Sequence, residues 1–392
     1  MGKKVAIITH YWKSDNFGGN LQAYALPTFL NKNGFEAKQI CYDVNFNMPN
    51  LSVRKKIRKT LKKGLFKFFM TCLCVVKVKF QDLFHKQDLI NMEKISHLKH
   101  EGCKNFQENI IPHTNKEYND DNIKELNYEI DFFITGSDQV FNYSYFKEGY
   151  WLGFAAKPKI SYAASMALDK IPNNMINFTK NALSSFKAIG VREEKTVELY
   201  SCLLKKQVVL NVDPTLLLSS DDWDKVSSQR IIDENYVFCY FLGNNPIERA
   251  LAKEFAQKNN LKLVCIPFYK SRYKLYDMEF GDINFPYASI ENFISLIKYA
   301  SYIFTDSFHA AVFSMIYHKQ YVVFNRDKKG SMNSRIISLT KLFRVENRFL
   351  DKKDRCNIYE VEKMLGDDTS YNSEEFYKLK ELSVKFLLDS LK

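Results

Sequence analysis

Residues 5–26 read VAIITHYWKSDNFGGNLQAYAL, and this stretch decides the fold class. The apolar run 5–9 predicts a buried strand, after which a glycine-containing turn leads into a helix over about 21–32. Asn and Gly at 33–34 end that helix, and residues 35–42 predict a second strand. A strand, a glycine loop, a helix and a strand in this order indicate a βαβ unit, and therefore a parallel sheet.

The same alternation continues along the chain and then restarts. Further strands are predicted at 130–135, 160–165, 188–191, 208–212, 236–242, 261–267, 302–305 and 320–325, with helices between many of them. The sequence predicts an α/β fold with two Rossmann-like domains that face a cleft. We expect an N-terminal domain at 1–200, with a basic helical insertion at about 51–100, and a C-terminal domain at 201–392 that ends in a closing helix.

The chain has 392 residues, 46% of them hydrophobic, which excludes a mostly disordered polypeptide and a small disulfide scaffold. Its net charge of +12 is concentrated, because residues 51–80 contain ten Lys or Arg and no acidic residue. Apolar residues recur at helical spacing among these lysines. The segment therefore indicates either a basic amphipathic helix on an anionic membrane surface or a core-packed helix with a solvated lysine face. No nucleic-acid-reading motif accompanies it.

The eight cysteines form no CxxC pair and show no metal-ligand spacing with histidines, so we expect no metal site. The first apolar run is too short for a signal peptide, and no run is long enough to span a membrane. These features predict a reduced cytoplasmic protein, with the basic segment as a contact to the inner face of the cell membrane.

Ligands of parallel sheets bind beyond the carboxyl ends of the strands, so the loops after strands are the informative ones. The first such loop contains Gly18-Gly19 at the start of a helix, where backbone N–H groups favour an anion; a plain turn is the alternative. The loop 136–142 is polar and suits sugar hydroxyls. After strand 302–305, Asp306 or Ser307 can cap a helix and place His309 in its first turn, which favours neutral imidazole as a base.

Arginine is scarce, with 11 residues among the 57 basic ones, so arginines in loops are notable. Arg192 and Arg326 each follow a predicted strand, and Arg335 lies at the start of a predicted helix. Planar guanidinium groups suit bidentate binding of phosphate or carboxylate. The alternative for each of these arginines is that it is an ordinary surface charge with no role in binding.

Six motifs in order resemble the polysaccharide pyruvyl transferase family, in a set that spans residues 5 to about 348. They are NFGGNLQAYAL at 16–26, GSDQVFN at 136–142, SYAAS at 161–165, VREE at 191–194, DPTLL at 213–217 and TDSFHA at 305–310. The resemblance implies a fold similar to GT-B glycosyltransferases. It also implies transfer of a pyruvyl group from phosphoenolpyruvate to a sugar of a cell-surface polysaccharide or its lipid-linked precursor, as a ketal. Phosphoenolpyruvate is then a donor substrate, and no cofactor is expected.

The resemblance also implies site residues. The histidine of the Ser-Phe-His motif and a cleft arginine match His309 and Arg192, which we expect to be catalytic, with Asp306 or Asp138 assisting His309 in acid–base work. Donor binding is predicted for Arg192, Ser307, Arg326 and Arg335, and acceptor binding for Asn16, Gly18, Gly19, Asn20, Gln22, Asp138, Gln139 and Asn142.

Two other functions remain open at this stage. A nucleotide-sugar glycosyltransferase would share the fold, although the sequence shows no clear diphosphate motif. A non-catalytic protein that binds carbohydrate at a membrane surface would use the basic segment 51–80 as its anchor.

Overall fold

The computed structural model describes residues 2–44, 86–268, 277, 279–326, 334–350, 357–366 and 374–392. The basic segment 51–80, and with it the predicted choice between a membrane-facing and a core-packed helix, lies outside these residues.

The first half of the chain forms a seven-stranded parallel sheet in the order β3-β2-β1-β4-β5-β6-β7. Its strands are β1 (Lys4–Ile8), β2 (Glu36–Tyr42), β3 (His113–Tyr118), β4 (Phe132–Thr135), β5 (Lys159–Ala164), β6 (Ala188–Val191) and β7 (Val209–Leu210). Its helices are α1 (Phe17–Lys32), α2 (Lys86–Asn109), α3 (Ile176–Ser184) and α4 (Glu194–Leu204). In the central strand β1, Ile7 pairs with Gln39 on one side and Ile134 on the other. Burial on both faces explains the continuous apolar run.

The second half forms a six-stranded parallel sheet in the order β10-β9-β8-β11-β12-β13. These strands are β8 (Tyr236–Tyr240), β9 (Lys262–Cys265), β10 (Ile283–Asn284), β11 (Tyr302–Thr305), β12 (Gln320–Phe324) and β13 (Phe349–Leu350). A short helix α5 (Ser220–Asp224) precedes the sheet, and the later helices are α6 (Pro246–Lys258), α7 (Ile290–Lys298), α8 (Phe308–Ile316), α9 (Ser334–Leu342), α10 (Ile358–Gly366) and α11 (Glu374–Ser390). The predicted pair of Rossmann-like blocks is confirmed.

The domain boundary differs from the one predicted at residue 200, which falls inside α4. Strand β7 still belongs to the first sheet, so that domain continues past residue 210. The last helix, expected to close the C-terminal domain, packs on the first sheet, where Ser383 Oγ on α11 accepts a hydrogen bond from the Val212 N–H at 3.0 Å. A Cβ atom on Gly190 of β6 would lie only 2.7 Å from Phe386 of this helix. An amphipathic pattern predicts a buried face but does not say which sheet covers it.

Helix α1 begins four residues before the predicted start, at Phe17, with Asn16 as its N-cap. The Asn16 side chain accepts a hydrogen bond from the Gly19 N–H at 3.4 Å. Gly18 and Gly19 therefore lie in the first helical turn and not in a loop. Glycine is a poor helix former, which is why the sequence pattern places the start too late.

One hydrophobic core joins the two domains. Phe17 at the start of α1 packs against Phe293 of α7 and Tyr240 of β8, with ring centroids 5.1 and 5.9 Å apart. Trp223, in the connection between the sheets, lies between Tyr24 of α1 and Phe313 of α8, with ring centroids 5.4 and 4.7 Å away. Aromatic packing between α1 of the first domain and β8, α7 and α8 of the second thus holds the two domains together.

Phe293→Ala should destabilise the protein by about 3–5 kcal/mol, because it leaves a cavity where a fully buried ring joins the two domains. The measurement is urea unfolding followed by intrinsic fluorescence. Tyr128→Ala is the control, since Tyr128 is 91% exposed and its loss should change the free energy of unfolding by less than about 0.5 kcal/mol. Equal unfolding midpoints for the two variants would contradict the shared core.

Candidate active site

The two domains present their strand ends to each other. In each sheet the connections run in opposite directions from two neighbouring central strands, β1 and β4 in the first sheet and β8 and β11 in the second. Such a switch point leaves a crevice beyond the carboxyl ends of the strands. The predicted loops after β1, β4 and β11 therefore lie at these crevices.

Gly18 and His309 bring the two crevices into contact. Ser307 caps α8, its side chain accepting a hydrogen bond from the Ala310 N–H at 3.5 Å, and this confirms His309 in the first turn. A Cβ atom on Gly18 would lie 2.6 Å from both Cγ and Cε1 of His309. Glycine at this position therefore lets the imidazole ring of one domain lie directly against the helix start of the other.

Arg192, directly after β6, lies in a buried cluster of carboxylates. Its Nη1 donates a hydrogen bond to Oδ2 of Asp213, which follows β7. Asp138 Oδ1 lies 3.5 Å from Nη2, and Glu193 Oε1 lies 3.9 Å from Nε. The ring of Phe308 covers the guanidinium, with its centroid 4.6 Å from Cζ. This packing holds the cation in a fixed orientation.

Both partners of the central ion pair stay charged. Burial alone would raise the pKa of Asp213, but the Arg192 guanidinium, His309 and the hydrogen bonds from Thr215 hold that pKa below its usual value. Burial alone would lower the pKa of Arg192, and the carboxylates of Asp213, Asp138 and Glu193 raise it instead. The Arg192–Asp213 pair is therefore ionised at neutral pH.

Asp213 also faces the predicted catalytic histidine. Its Oδ2 lies 3.8 Å from His309 Nε2, and it accepts a hydrogen bond from Ser137 Oγ at 3.3 Å. Its other oxygen accepts hydrogen bonds from the Thr215 N–H and hydroxyl, at 3.1 and 2.7 Å. An anion at this distance stabilises a positive charge on the imidazole ring. The sequence-based expectation of a neutral ring took only the helix N-terminus into account and not this carboxylate.

All six motifs found in the sequence are joined by direct contacts. Ser137 links its own motif to three others, because its N–H donates to Gln22 Oε1 at 3.0 Å and its hydroxyl donates to the Ala163 carbonyl at 2.9 Å as well as to Asp213. The Arg192 N–H donates to the Ala164 carbonyl at 3.2 Å. The close approach of His309 to Gly18 joins the last motif, at 305–310, to the first one, at 16–26. Residues far apart in the sequence therefore form a single network at the domain interface.

A family model described as polysaccharide pyruvyl transferase matches residues 16–328, which include all six motifs. The chain belongs to the polysaccharide pyruvyl transferase family. No curated protein matches its sequence closely enough to add to this assignment.

Solved structures with a similar fold are sugar-nucleotide enzymes. The UDP-GlcNAc 2-epimerase from Methanocaldococcus jannaschii is similar with a TM-score of 0.53 and 10% identity, over 99% of this chain and 100% of that one. The S. aureus MnaA–UDP co-structure is similar with a TM-score of 0.50 and 11% identity, over 100% of this chain and 98% of that one. The pyruvyl transferase chain therefore has a GT-B-type, two-domain α/β fold. At this identity the likeness extends to the fold alone.

A cavity of about 520 Å³ opens beside the network in the N-terminal domain. Three of the predicted acceptor residues, Asn16, Asp138 and Gln139, line it. The full lining is His10, Ser14, Asn16, Val44, Asp138, Gln139, Ser144, Tyr145, Phe146, Lys147 and Tyr150. Carboxylate, amide and hydroxyl groups beside aromatic rings are suited to a sugar.

Other predicted acceptor residues lie inside the protein and support this cavity. Asn20 and Gln22 are fully buried. The Asn20 amide donates to the Ser14 and Asn16 carbonyls, both at 2.9 Å, and Gln22 joins α1 to the loop after β4. Asn142 caps a short 3₁₀ helix and donates to Gln139 Oε1 at 2.7 Å. Their side chains position the loops around the cavity, and direct acceptor binding by them stays a prediction.

Asp306 has a different position from the one predicted. Its two carboxylate oxygens accept hydrogen bonds from the Leu242 and Gly243 N–H groups, both at 2.7 Å. The side chain thus fastens the loop after β8, and Asp213 is the carboxylate that the structure places beside His309. Burial raises the pKa of Asp306, and the charge of Arg326 opposes that shift.

The remaining predicted donor residues lie around the C-terminal crevice. Ser307 is the cap of α8. Arg326 lies two residues after the end of β12 and near Gly243, where a Cβ atom would be 3.1 Å from the Cγ of Arg326. Arg335 belongs to α9, and its side chain lies outside the described residues. Donor binding by these residues stays a prediction.

Sequence reasoning assigned no role to four residues of this site: Asp213, Glu193, Phe308 and His10. Asp213, Glu193 and Phe308 stand inside the quoted motifs, so the motif order was the available signal. His10 lies in the loop after the first strand, and ligands of parallel sheets bind beyond the carboxyl ends of strands, so its position was the available signal.

Two findings concern the described part of the chain only. It contains no group of three or more His, Cys, Asp or Glu side chains placed to hold a metal ion. None of its helices is both long enough and apolar enough to cross a bilayer.

Gly18→Ala should reduce turnover strongly, because the added methyl group would displace the His309 ring from its place beside Asp213. Gly366→Ala is the matched control, since a Cβ there meets no atom of the described residues within 4 Å. Activity and the free energy of unfolding should be measured for both. Full activity in Gly18→Ala would show that the position of His309 against α1 is not needed.

Proposed function

We propose that this protein transfers a pyruvyl group from phosphoenolpyruvate to a sugar of a polysaccharide or of its lipid-linked precursor, forming a ketal. The observation that carries the proposal is the buried Arg192–Asp213–His309 cluster, at which the motifs of the family meet. The cluster joins a cation, a carboxylate and an acid–base group next to a cavity for an acceptor.

His309 is proposed to be the acid that protonates the methylene carbon of the donor. Three carboxylates surround a single guanidinium in the cluster, so an additional positive charge is favoured there. The Asp213 carboxylate, 3.8 Å from Nε2, stabilises the imidazolium form that an acid requires.

Donor binding is proposed at the first turn of α8 and at Arg192. Backbone N–H groups at a helix start bind phosphate and carboxylate, and Phe308 and His309 occupy that turn. Within the described chain, the buried Nε and Nη2 atoms of Arg192 have no hydrogen-bond acceptor, although the carboxylates of Glu193 and Asp138 lie within 4 Å of them. A ligand oxygen could therefore be bound by these N–H groups.

The acceptor is proposed to occupy the cavity of about 520 Å³ beside Asp138. A second cavity of about 530 Å³ shares Ser144 and Phe146 with it and is lined mainly by Tyr143, Phe178 and other apolar side chains. Aromatic faces suit the apolar faces of sugar rings. The pair of cavities therefore favours an acceptor of more than one sugar unit. The membrane contact through residues 51–80 remains a proposal for a lipid-linked acceptor.

The test is release of inorganic phosphate from phosphoenolpyruvate, dependent on added glycan, with the pyruvylated product identified by mass spectrometry. His309→Gln should lower turnover by about 100-fold or more, because it removes the acid. Arg192→Lys should also lower turnover, since an ammonium group cannot reproduce the planar contacts of a guanidinium.

Arg344→Lys is the control, because Arg344 is exposed and its guanidinium pairs with Glu375 at the surface. Its turnover should equal that of the wild type. Consumption of a nucleotide sugar, with no phosphate release from phosphoenolpyruvate, would replace this proposal by the glycosyltransferase alternative. Full activity in His309→Gln would remove the role of His309.

A further inference from the structure

His10 is a histidine at the acceptor cavity to which sequence reasoning assigned no role. It follows β1 and lies opposite the loop after β4, at the switch point of the first sheet. Its imidazole ring lines the cavity together with Asp138 and Gln139. The His10 backbone packs closely against α1, since a Cβ atom on Gly19 would lie 2.6 Å from the His10 carbonyl oxygen.

The tautomer of His10 follows from its hydrogen bond. Nε2 lies 3.2 Å from the backbone carbonyl oxygen of Gln139. A carbonyl oxygen can only accept, so in the neutral ring the proton is on Nε2 and Nδ1 keeps its lone pair. Within the described chain this is the only hydrogen bond of the ring, and Nδ1 is therefore the nitrogen left for a ligand.

The surroundings of His10 favour the neutral form and restrict the ring. Burial lowers the pKa of His10, while the charge of Asp138 and the bond to Gln139 oppose that shift. The ring packs against Tyr150, with centroids 4.2 Å apart. The other charged group that lines the cavity is Lys147, whose Nζ donates a hydrogen bond to the Val44 carbonyl at 2.7 Å.

Ketal formation requires both an acid and a base. A proton is added to the methylene carbon of the donor, two hydroxyl oxygens form bonds to C2, and the bond between C2 and the phosphate oxygen breaks, its electron pair leaving with phosphate. Two protons are lost from the hydroxyl groups. One of these protons makes up for the proton that the methylene carbon takes from the acid, and the other leaves with the phosphate.

We propose that His10 is the base that removes the proton from the attacking acceptor hydroxyl, through Nδ1, and that His309 is the separate acid. This inference rests on the proposed function. His10 passes its proton to the departing phosphate, and His309 is protonated again by the second hydroxyl. The two histidines differ in their electrostatic surroundings. His309 faces the Asp213 carboxylate, whereas His10 Nε2 is hydrogen-bonded to the neutral backbone carbonyl of Gln139.

The Asp138 side chain lies between His10 and the cluster of Arg192, Asp213 and His309. It acts on His10 through its charge and lies 3.5 Å from Arg192, which in turn binds Asp213 beside His309. A hydroxyl bound beside Asp138 is thus close both to a base and to the cluster that holds the donor. This juxtaposition is what a direct attack on C2 requires.

His10→Gln tests the proposal with little disturbance, because the glutamine amide can still donate to the Gln139 carbonyl but cannot act as a base. We expect kcat/KM to fall by about 100- to 1,000-fold, with donor binding by calorimetry unchanged. In the wild type, kcat/KM should stay constant as the pH falls to about 6.5, the ordinary histidine value, and should decrease only at a lower pH, because burial lowers the pKa of His10. This loss at acidic pH should be absent in His10→Gln.

Imidazole added to His10→Ala should restore part of the turnover, which a purely structural role would not allow. His97→Gln is the matched control, since the side chain of His97 is 70% exposed on α2. Wild-type turnover in His10→Gln, or loss of donor binding together with no rescue of His10→Ala, would overturn the role of His10 alone. No phosphate release by the wild type would overturn the proposed function, and this inference with it.

Discussion

The buried carboxylate of Asp213 is the constraint on which the site depends. A carboxylate removed from water is strongly destabilising unless it is paired and hydrogen-bonded. Here the partners are Arg192, Ser137 and Thr215, with His309 nearby, and they come from the ends of β6, β4, β7 and α8. Satisfying this one charge therefore fixes the relative positions of four chain segments. The glycine at position 18 and the cap at Ser307 then follow as requirements for bringing His309 close.

The site separates two electrostatic environments within a short distance. Around Arg192, the carboxylates of Asp138, Glu193 and Asp213 outnumber the guanidinium, so additional positive charge is stabilised. Around His10, an aromatic ring and a backbone carbonyl contribute no full charge, and Asp138 acts against the effect of burial. On the proposed function, this contrast suits His309 to the role of the acid and His10 to that of the base.

Much of the fold could be predicted from the sequence, because strands buried on both faces are read directly as apolar runs. β1, β6 and β11 are examples. β3 was missed because it is a polar edge strand, His113–Tyr118, and the place of α11 was wrong because periodicity does not identify a helix's partner. The motifs located the site, and His309 was placed correctly in its helix. The roles of Asp213 and His10, and the interior positions of Asn20 and Gln22, depend on contacts between distant segments that no local pattern contains.

The contact between Gly18 and His309 has a consequence for control of the reaction. His309 belongs to the second sheet's helices, whereas Asp213, Arg192 and the acceptor cavity belong to the first. A rotation of one domain against the other would move His309 away from the Asp213 carboxylate without altering either residue. On the proposed function, activity would then depend on the angle between the two domains.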